Sequence, residues 1–574
     1  MFADRGDSRG ARGGGRSLAR EGDGAVAVIL ALVLAALLGV VALVFDLGRT
    51  WNLHTELQNG VDYCALSGAT QLDAGAGARQ RAVNTCIDSI TDMSENTQRF
   101  ATDGTGAGII TFNPTLTTAA DGTASNENFQ FFTELATHTP ATSDAEARFI
   151  EVTTQRTVGF VFANVLGGVT EASPLVRAVA GWETFLCGNI PLMTCNPQEP
   201  PGNTDLKFPF SFGTPGNPDY MGGRGLTLKG APQGATQLFS GEFVWLATVT
   251  VDEDGNVEEV KGANALRDGL ANMNAGPACT GTNREAQPGN IKTAIEWLNI
   301  RLDKYPNSQS ALMTNPDYQP SVHSLTGLVL DNPGAGDCHF NVASHSDGAG
   351  NSAWNHPANE YLGPGHHTYD AGTGTFTPPI DHVGYMRDDC AYPLPGGGVP
   401  TPNCIFVPPA SSGLPAGDQV GTGDWDIGTY FDFHHPGVLP ATVPDLDGDT
   451  SISRWEVFNW EVDNLALQMP SGGDTQCYSS GLPLPDEAAA YTMEDLRKRR
   501  IVTVAVGNCE AIGSLGGGAS QKPLEFAGGT PAVFVFLTEA AGEYEPQSFY
   551  AELVAPADDE SVSTAVKDRI VLYE

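Results

Sequence analysis

The feature that most constrains this chain is an apolar run close to its N-terminus. Residues 25–45 read AVAVILALVLAALLGVVALVF, 21 positions without a charge. At about 1.5 Å rise per residue, a helix of that length covers roughly 30 Å, the thickness of a bilayer core. The run therefore predicts one transmembrane helix. A cleaved secretory signal competes with this reading, but its apolar part is only about 7–15 residues long and it ends in small residues. Here the end is bulky: Val44, Phe45, Asp46 and Leu47.

A prepilin-type cut at Gly22 or Gly24 wants a glutamate five residues on, where this chain has Ala27 and Ile29, so the helix is expected to stay attached. Arg5, Arg9, Arg12, Arg16 and Arg20 all precede it. Basic residues beside a span remain cytoplasmic, which puts nearly everything after residue 45 outside. Asp4, Asp7, Glu21 and Asp23 also precede the span, leaving 25 basic against 64 acidic residues beyond it. That excess argues against nucleic acid or anionic lipid as the partner of the outer part.

All ten cysteines lie on the outer side. An even number in an oxidising compartment reads as disulfides. Closeness in sequence suggests Cys64 with Cys86, Cys187 with Cys195, and Cys390 with Cys404. No CxxC pair supports a zinc ribbon or a thioredoxin-type site.

Within the span, Ala27, Ala31, Ala35 and Gly39 recur every four residues, placing small side chains on one face where another helix can approach. Beyond Asp46 the periodicity continues through Leu47, Trp51, His54, Leu57, Val61, Ala65, Gly68 and Leu72. It predicts a helix, apolar and then amphipathic, that ends at the Ala74-Gly75-Ala76-Gly77 break. His54 on that stripe is expected to be packed rather than a ligand.

Three pieces of this segment resemble the N-terminus of TadE/TadG-like Flp pilus-assembly proteins. They are the entry Gly24-Ala25-Val26, the exit Asp46-Leu47-Gly48-Arg49, and the helix Gln58-Asn59-Gly60-Val61-Asp62-Tyr63-Cys64-Ala65-Leu66-Ser67-Gly68-Ala69. Gly60, Tyr63 and Cys64 depart from the family pattern. Later stretches are also similar to the larger TadG-related proteins: the strand-like 148–156, the apolar 160–167, Pro191-Leu192-Met193-Thr194-Cys195-Asn196-Pro197, 499–509 and 571–574. Between about 305 and 420 the likeness is slight. Some TadG-like proteins open a von Willebrand-type metal site with Asp-x-Ser-x-Ser, a signature this chain lacks, so that function does not transfer.

The expected organisation is a disordered cytoplasmic tail (1–24), the transmembrane helix (25–45), a helical stalk (46–99), a small α+β domain (100–182) and a β-rich periplasmic domain (183–574). The fold class is α+β: one N-terminal transmembrane helix, a pilin-like helical stalk, and a β-rich, disulfide-bonded outer domain. Residues 148–156 alternate Ile150, Val152 and Thr154 with Glu151, Thr153 and Gln155, as a half-buried strand does. Strands at 243–251 and 257–260 flank the acidic turn 252–256, whose twelfth position is Ala263, so it reads as a hairpin turn and not a calcium loop. Ile291, Ile295, Leu298 and Leu302, behind Asn290 as cap, space a core-facing helix. Residues 501–506, 533–537, 549–554 and 570–573 have strand composition.

The sharpest chemical motif spans 445–456, DLDGDTSISRWE. An EF-hand-type calcium loop takes oxygen ligands from positions 1, 3, 5, 7, 9 and 12, which here are Asp445, Asp447, Asp449, Ser451, Ser453 and Glu456. Thr450 stands where glycine normally makes the sharp turn, a costly place for a β-branched residue. A solvated acidic turn before a helix is the competing reading.

Nine of the eleven histidines (323, 339, 345, 356, 366, 367, 382, 434 and 435) fall in or just after the poorly recognised middle, beside Asp337, Asp347, Asp370, Asp381 and Asp432. Zinc or iron chemistry would use such residues. The spacing is irregular and HExxH is absent, which favours satisfied or exposed histidines. GxSxG, P-loop and dinucleotide fingerprints are absent as well.

Together these readings point to a non-enzymatic protein of the bacterial inner membrane, single-pass, with cytoplasmic N-terminus and periplasmic bulk. By resemblance it acts in Tad/Flp pilus assembly or tight adherence, through contacts with other Tad or pseudopilin membrane proteins. Calcium is its one candidate cofactor, and neither nucleic acid nor a small-molecule substrate is expected. The alternatives are a calcium-stabilised envelope adhesin or binding module, and a metal-dependent periplasmic hydrolase.

Overall fold

The computed structural model describes residues 17–96, 110, 112–135, 137–162, 170–187, 190–230, 242–251, 257–273, 279–280, 283–286, 294–330, 339–340, 352–388, 420–464, 477, 491–513, 523–543, 548–558 and 566–573. It is an α+β protein that divides into two compact units, residues 1–183 with 568–574, and residues 184–567. The expected tail before residue 17, the turn 252–256, Cys390 and Cys404 lie outside the described residues.

In the first unit a single helix, α1 (Ser17–Ala69), runs through the apolar segment without a break. It is long and apolar enough to cross a membrane. Val28, Leu32, Leu37, Leu43 and Val44 on it are each 58% or more exposed, so the protein itself leaves this surface open. After isolated buried positions at Ala42 and Asp46, continuous burial of one face begins at Leu57 and runs through Val61, Cys64, Ala65 and Ala69. The upper part of the predicted stripe therefore differs from expectation: Leu47 and Trp51 are exposed, and His54 is exposed rather than packed. The main apolar packing of α1 lies where α2 (Ala78–Asn96) and the sheet meet it.

The turn between α1 and α2 uses positive φ at Ala74 and Gly77, and Leu72 just before it is buried. Cys64 is bonded to Cys86, joining the two helices. Gly68 permits the close packing: a Cβ there would lie 3.0 Å from both Ala82 O and the Ile150 side chain. The sheet beneath is formed by β1 (Phe129–Glu134), β2 (Thr139–Pro140), β3 (Phe149–Gln155) and β4 (Leu175–Cys187), in the order β2-β1-β3-β4. In β3, Ile150, Val152 and Thr154 are buried while their neighbours are not, which matches the predicted alternation. The closing strand Val566–Tyr573 pairs with β4.

The second unit is built on a closed six-stranded barrel. Its strands are β5 (Leu192–Cys195), β6 (Gly225–Gly230), β7 (Glu242–Trp245), β8 (Ile501–Gly507), β9 (Ala532–Leu537) and β10 (Ser548–Pro556). The order around it is β6-β7-β5-β8-β9-β10, and β10 returns to β6. Both faces of these strands are covered. Val502, Val504 and Val506 enter one apolar cluster, with Leu298 and Leu302, while Ile501 and Ala505 enter a second, with Tyr430 and Phe458. Strands buried on both faces read as unbroken apolar runs, and β9, AVFVFL, is buried at all six positions.

The helices beside the barrel among the described residues include α3 (Ala263–Ala271), α4 (Ala294–Leu298), α5 (Ile427–His434) and α6 (Arg454–Asp463). The helix expected at 291–302 is α4 followed by a 3-10 turn, Asn299–Leu302, with Ile295, Leu298 and Leu302 buried. The hairpin around 252–256 has its flanking strands, Thr248–Val251 and Val257–Val260, in antiparallel register.

One expected disulfide is corrected. Cys195 bonds Cys509, 314 residues away, and not Cys187. β5 and β8 run parallel and end together, Cys195 opposite Gly507, so the fold brings Cys509 to 5.3 Å from Cys195, Cα to Cα. Cys187 stands across the β-ladder from Cys279.

Candidate functional site

The 445–456 loop hangs on the N-terminus of α6. Ser453 caps that helix by accepting from the Glu456 amide (3.2 Å), while the Glu456 carboxylate accepts from the Ser453 amide (2.8 Å), a reciprocal capping box. The other Glu456 oxygen accepts from the Leu446 amide. Glu456 thereby ties the two ends of the loop together. The Trp425 indole donates to Ile452 O (2.8 Å) and ties the end of the loop to the residues just before α5.

Within this frame Asp445, Asp447 and Asp449 bring one carboxylate oxygen each to within 4.8 Å of one another. Backbone amides hold them in place: Gly448 and Thr450 donate to Asp445, Asp449 to Asp447, and Ser451 to Asp449. Gly448 and Thr450 both have positive φ, +80° and +75°. The sharp turn is thus made at Thr450 as the calcium-loop pattern requires, despite its β-branched side chain. The Ser451 hydroxyl donates to Asp449 (2.7 Å), and Ser453 and Glu456 are turned to helix capping. The structure therefore gathers Asp445, Asp447 and Asp449, and sets Ser451, Ser453 and Glu456 around them in other bonds.

A cavity of about 690 Å³ opens beside the loop, lined by Tyr220, Asp447, Trp455, Glu456, Arg497 and Leu553 among others. Tyr220 donates to Asp447 (2.8 Å). Burial raises the pKa of Asp447 and of Glu456 above the ordinary carboxylate value, and neighbouring acids add to it. A cation between the three aspartates would relieve that repulsion.

Behind the loop sits an ion network that no sequence motif announces. Arg454, fully buried, pairs with Asp388 and donates to Glu552 (2.9 Å), Gly223 O and Met386 O. Burial opposes its charge, yet the carboxylates of Asp388 and Glu552 outweigh burial and hold its pKa above the ordinary arginine value. Tyr550 lies beneath, its hydroxyl accepting from the Asp388 amide (2.8 Å). A Cβ on Gly225 would fall 1.6 Å from that hydroxyl, so only glycine fits there.

The histidines are distributed among protein partners. His323 and His435 face the Glu461 carboxylate at 3.2 and 2.8 Å, His382 bonds Thr326 O, His434 bonds Val383 O, and His356 lies 2.8 Å from Glu360. Asp381 accepts from Asn359, and Asp370 closes a hairpin turn. His345, Asp337 and Asp347 lie outside the described residues. Among the described residues, three ligand atoms converge only at Asp445, Asp447 and Asp449.

Residues 24–71 match the Tad family model, Flp pilus-assembly TadE/G-like. No curated protein and no solved structure matches the chain.

Proposed function

We propose that this chain is an inner-membrane-anchored component of Tad/Flp pilus assembly or tight adherence, non-enzymatic and acting through protein–protein contacts. The observation that carries the reading is the continuity of α1, which leaves its apolar half and enters a packed half within the matched segment 24–71. The five arginines before the span favour a cytoplasmic N-terminus. The bonds Cys64–Cys86 and Cys195–Cys509 favour an oxidising, periplasmic setting for the rest. Partner helices would meet the face carrying Ala31, Ala35 and Gly39, where backbones approach closely. Replacing these three by leucine is expected to reduce crosslinking of the full chain to its membrane partners severalfold; crosslinking at the wild-type level would overturn this mode of contact.

A second reading is favoured by the three convergent aspartates: calcium stabilises the outer unit at 445–456. Calcium binding only the folded form raises stability by roughly 2.7 kcal/mol at a hundredfold excess over its Kd. The melting temperature of the full chain is therefore expected to rise with calcium and to lose that response in Asp449→Ala, which removes the ligand oxygen. This variant spares the Glu456 cap, so a wild-type response in it would refute the site.

A further inference from the structure

Asp46 is the first charged residue after the apolar run, yet it is only 2% exposed. Its two carboxylate oxygens accept from the backbone amides of Val161 (3.0 Å) and Phe162 (2.9 Å), 115 and 116 residues further along. Phe45, one step earlier on α1, meets Phe162 edge to face at 5.4 Å. The backbone at 161–162 is thus held level with the exit of the span.

The side chains there remain partly open, Phe162 touching Phe45 on one side. Val161 is 52% and Phe162 43% exposed, and they continue the open apolar surface formed on α1 by Val44, Phe45 and Leu47. The short antiparallel pair Val158–Gly159 with Glu171–Ala172 supports this turn, and the Phe160 amide donates to Thr170 O (2.9 Å). The amides of Phe160, Val161 and Phe162 are therefore all bonded, so none of these three donors would be left unsatisfied against hydrocarbon. The sequence agrees: residues 157–170 carry no charge over 14 positions, too few to cross a bilayer.

We infer that the 158–162 turn is a second membrane contact, dipping Val161 and Phe162 into the outer leaflet beside α1. Its occupant is lipid, because its apolar surface is continuous with the span that lipid surrounds. This rests on α1 crossing the membrane. Asp46 sets the depth of the turn, and the two attachments together fix the orientation of the first unit on the membrane.

The test uses the full chain in phosphatidylethanolamine/phosphatidylglycerol nanodiscs. No described cysteine is free, so a single added cysteine takes the nitroxide. Labels at Val161→Cys, Ala36→Cys and Thr118→Cys report oxygen against nickel-chelate accessibility. The expected ratio at 161 is severalfold above that at 118 and below that at 36. A label at 161 as open to nickel as that at 118, with 36 still in lipid, overturns the contact and spares the span. A label at 161 shielded from both reagents means a protein covers the turn, and also overturns the proposal. A water-exposed label at 36 removes the span and the inference with it.

Discussion

Replacing Arg454 by methionine is expected to lower the unfolding free energy by about 3–5 kcal/mol, because removing one member of a buried ion network strands the others. Asp388 and Glu552 are fully buried, and each also accepts backbone amides: Gly225 and Gly423 donate to Asp388, Arg454 and Trp455 to Glu552. Neither carboxylate can turn to water, and without the guanidinium both lose the cation that offsets their burial. Arg454→Lys restores the charge but not the fork that reaches Asp388, Glu552, Met386 O and Gly223 O together, so it is expected to recover only part of the loss. Urea unfolding followed by tryptophan fluorescence measures both. A midpoint within about 0.5 kcal/mol of wild type for Arg454→Met, the range of ordinary surface changes, contradicts this account of the network.

Glu461→Gln is expected to cost about 3 kcal/mol or more and to change the acid limb of stability. Fully buried Glu461 accepts from Tyr385 and from Tyr430 (2.7 Å), with His435 at 2.8 Å and His323 at 3.2 Å. Glutamine offers one acceptor oxygen and turns an amide donor toward groups that are themselves donors. Burial alone would raise the pKa of Glu461, but the bonds from His323, His435 and Tyr385 outweigh it and bring it from 4.5 down to about 2. A depressed carboxylate stabilises the fold above its unfolded value and loses that contribution as pH falls through the folded value. Stability of the wild type should therefore decline between pH 4.5 and about 2, and the variant should show a shallower decline there. Chemical unfolding at stepped pH reads this; identical slopes contradict it.

Elements with a local cause were legible in the sequence. The α1 helix followed from an uncharged run, β3 from strict alternation, and β8 and β9 from continuous apolar composition. The convergence of Asp445, Asp447 and Asp449 followed from loop spacing, since residues two apart in a tight turn share a side. What was not legible depends on distant pairing. Arg454 finds Asp388 and Glu552 at separations of 66 and 98 residues, and Cys195 finds Cys509 at 314. None of these partners carries a motif, and only closure of the barrel brings them together. His54 is exposed for a related reason: it lies on the periodic stripe, but α2 and the sheet cover that stripe only from Leu57 onward. Asp46, which in the sequence marks only the end of the apolar run, holds backbone 115 and 116 residues further along the chain.

The central claim, that this chain is a membrane-anchored component of Tad/Flp pilus assembly, is tested most directly by counting surface pili in cells from which its gene is deleted. The account predicts that pili are lost or sharply reduced, and that the full chain restores them while a variant lacking residues 25–45 does not. Wild-type piliation in the deletion strain, or full restoration by the variant without its span, would contradict it.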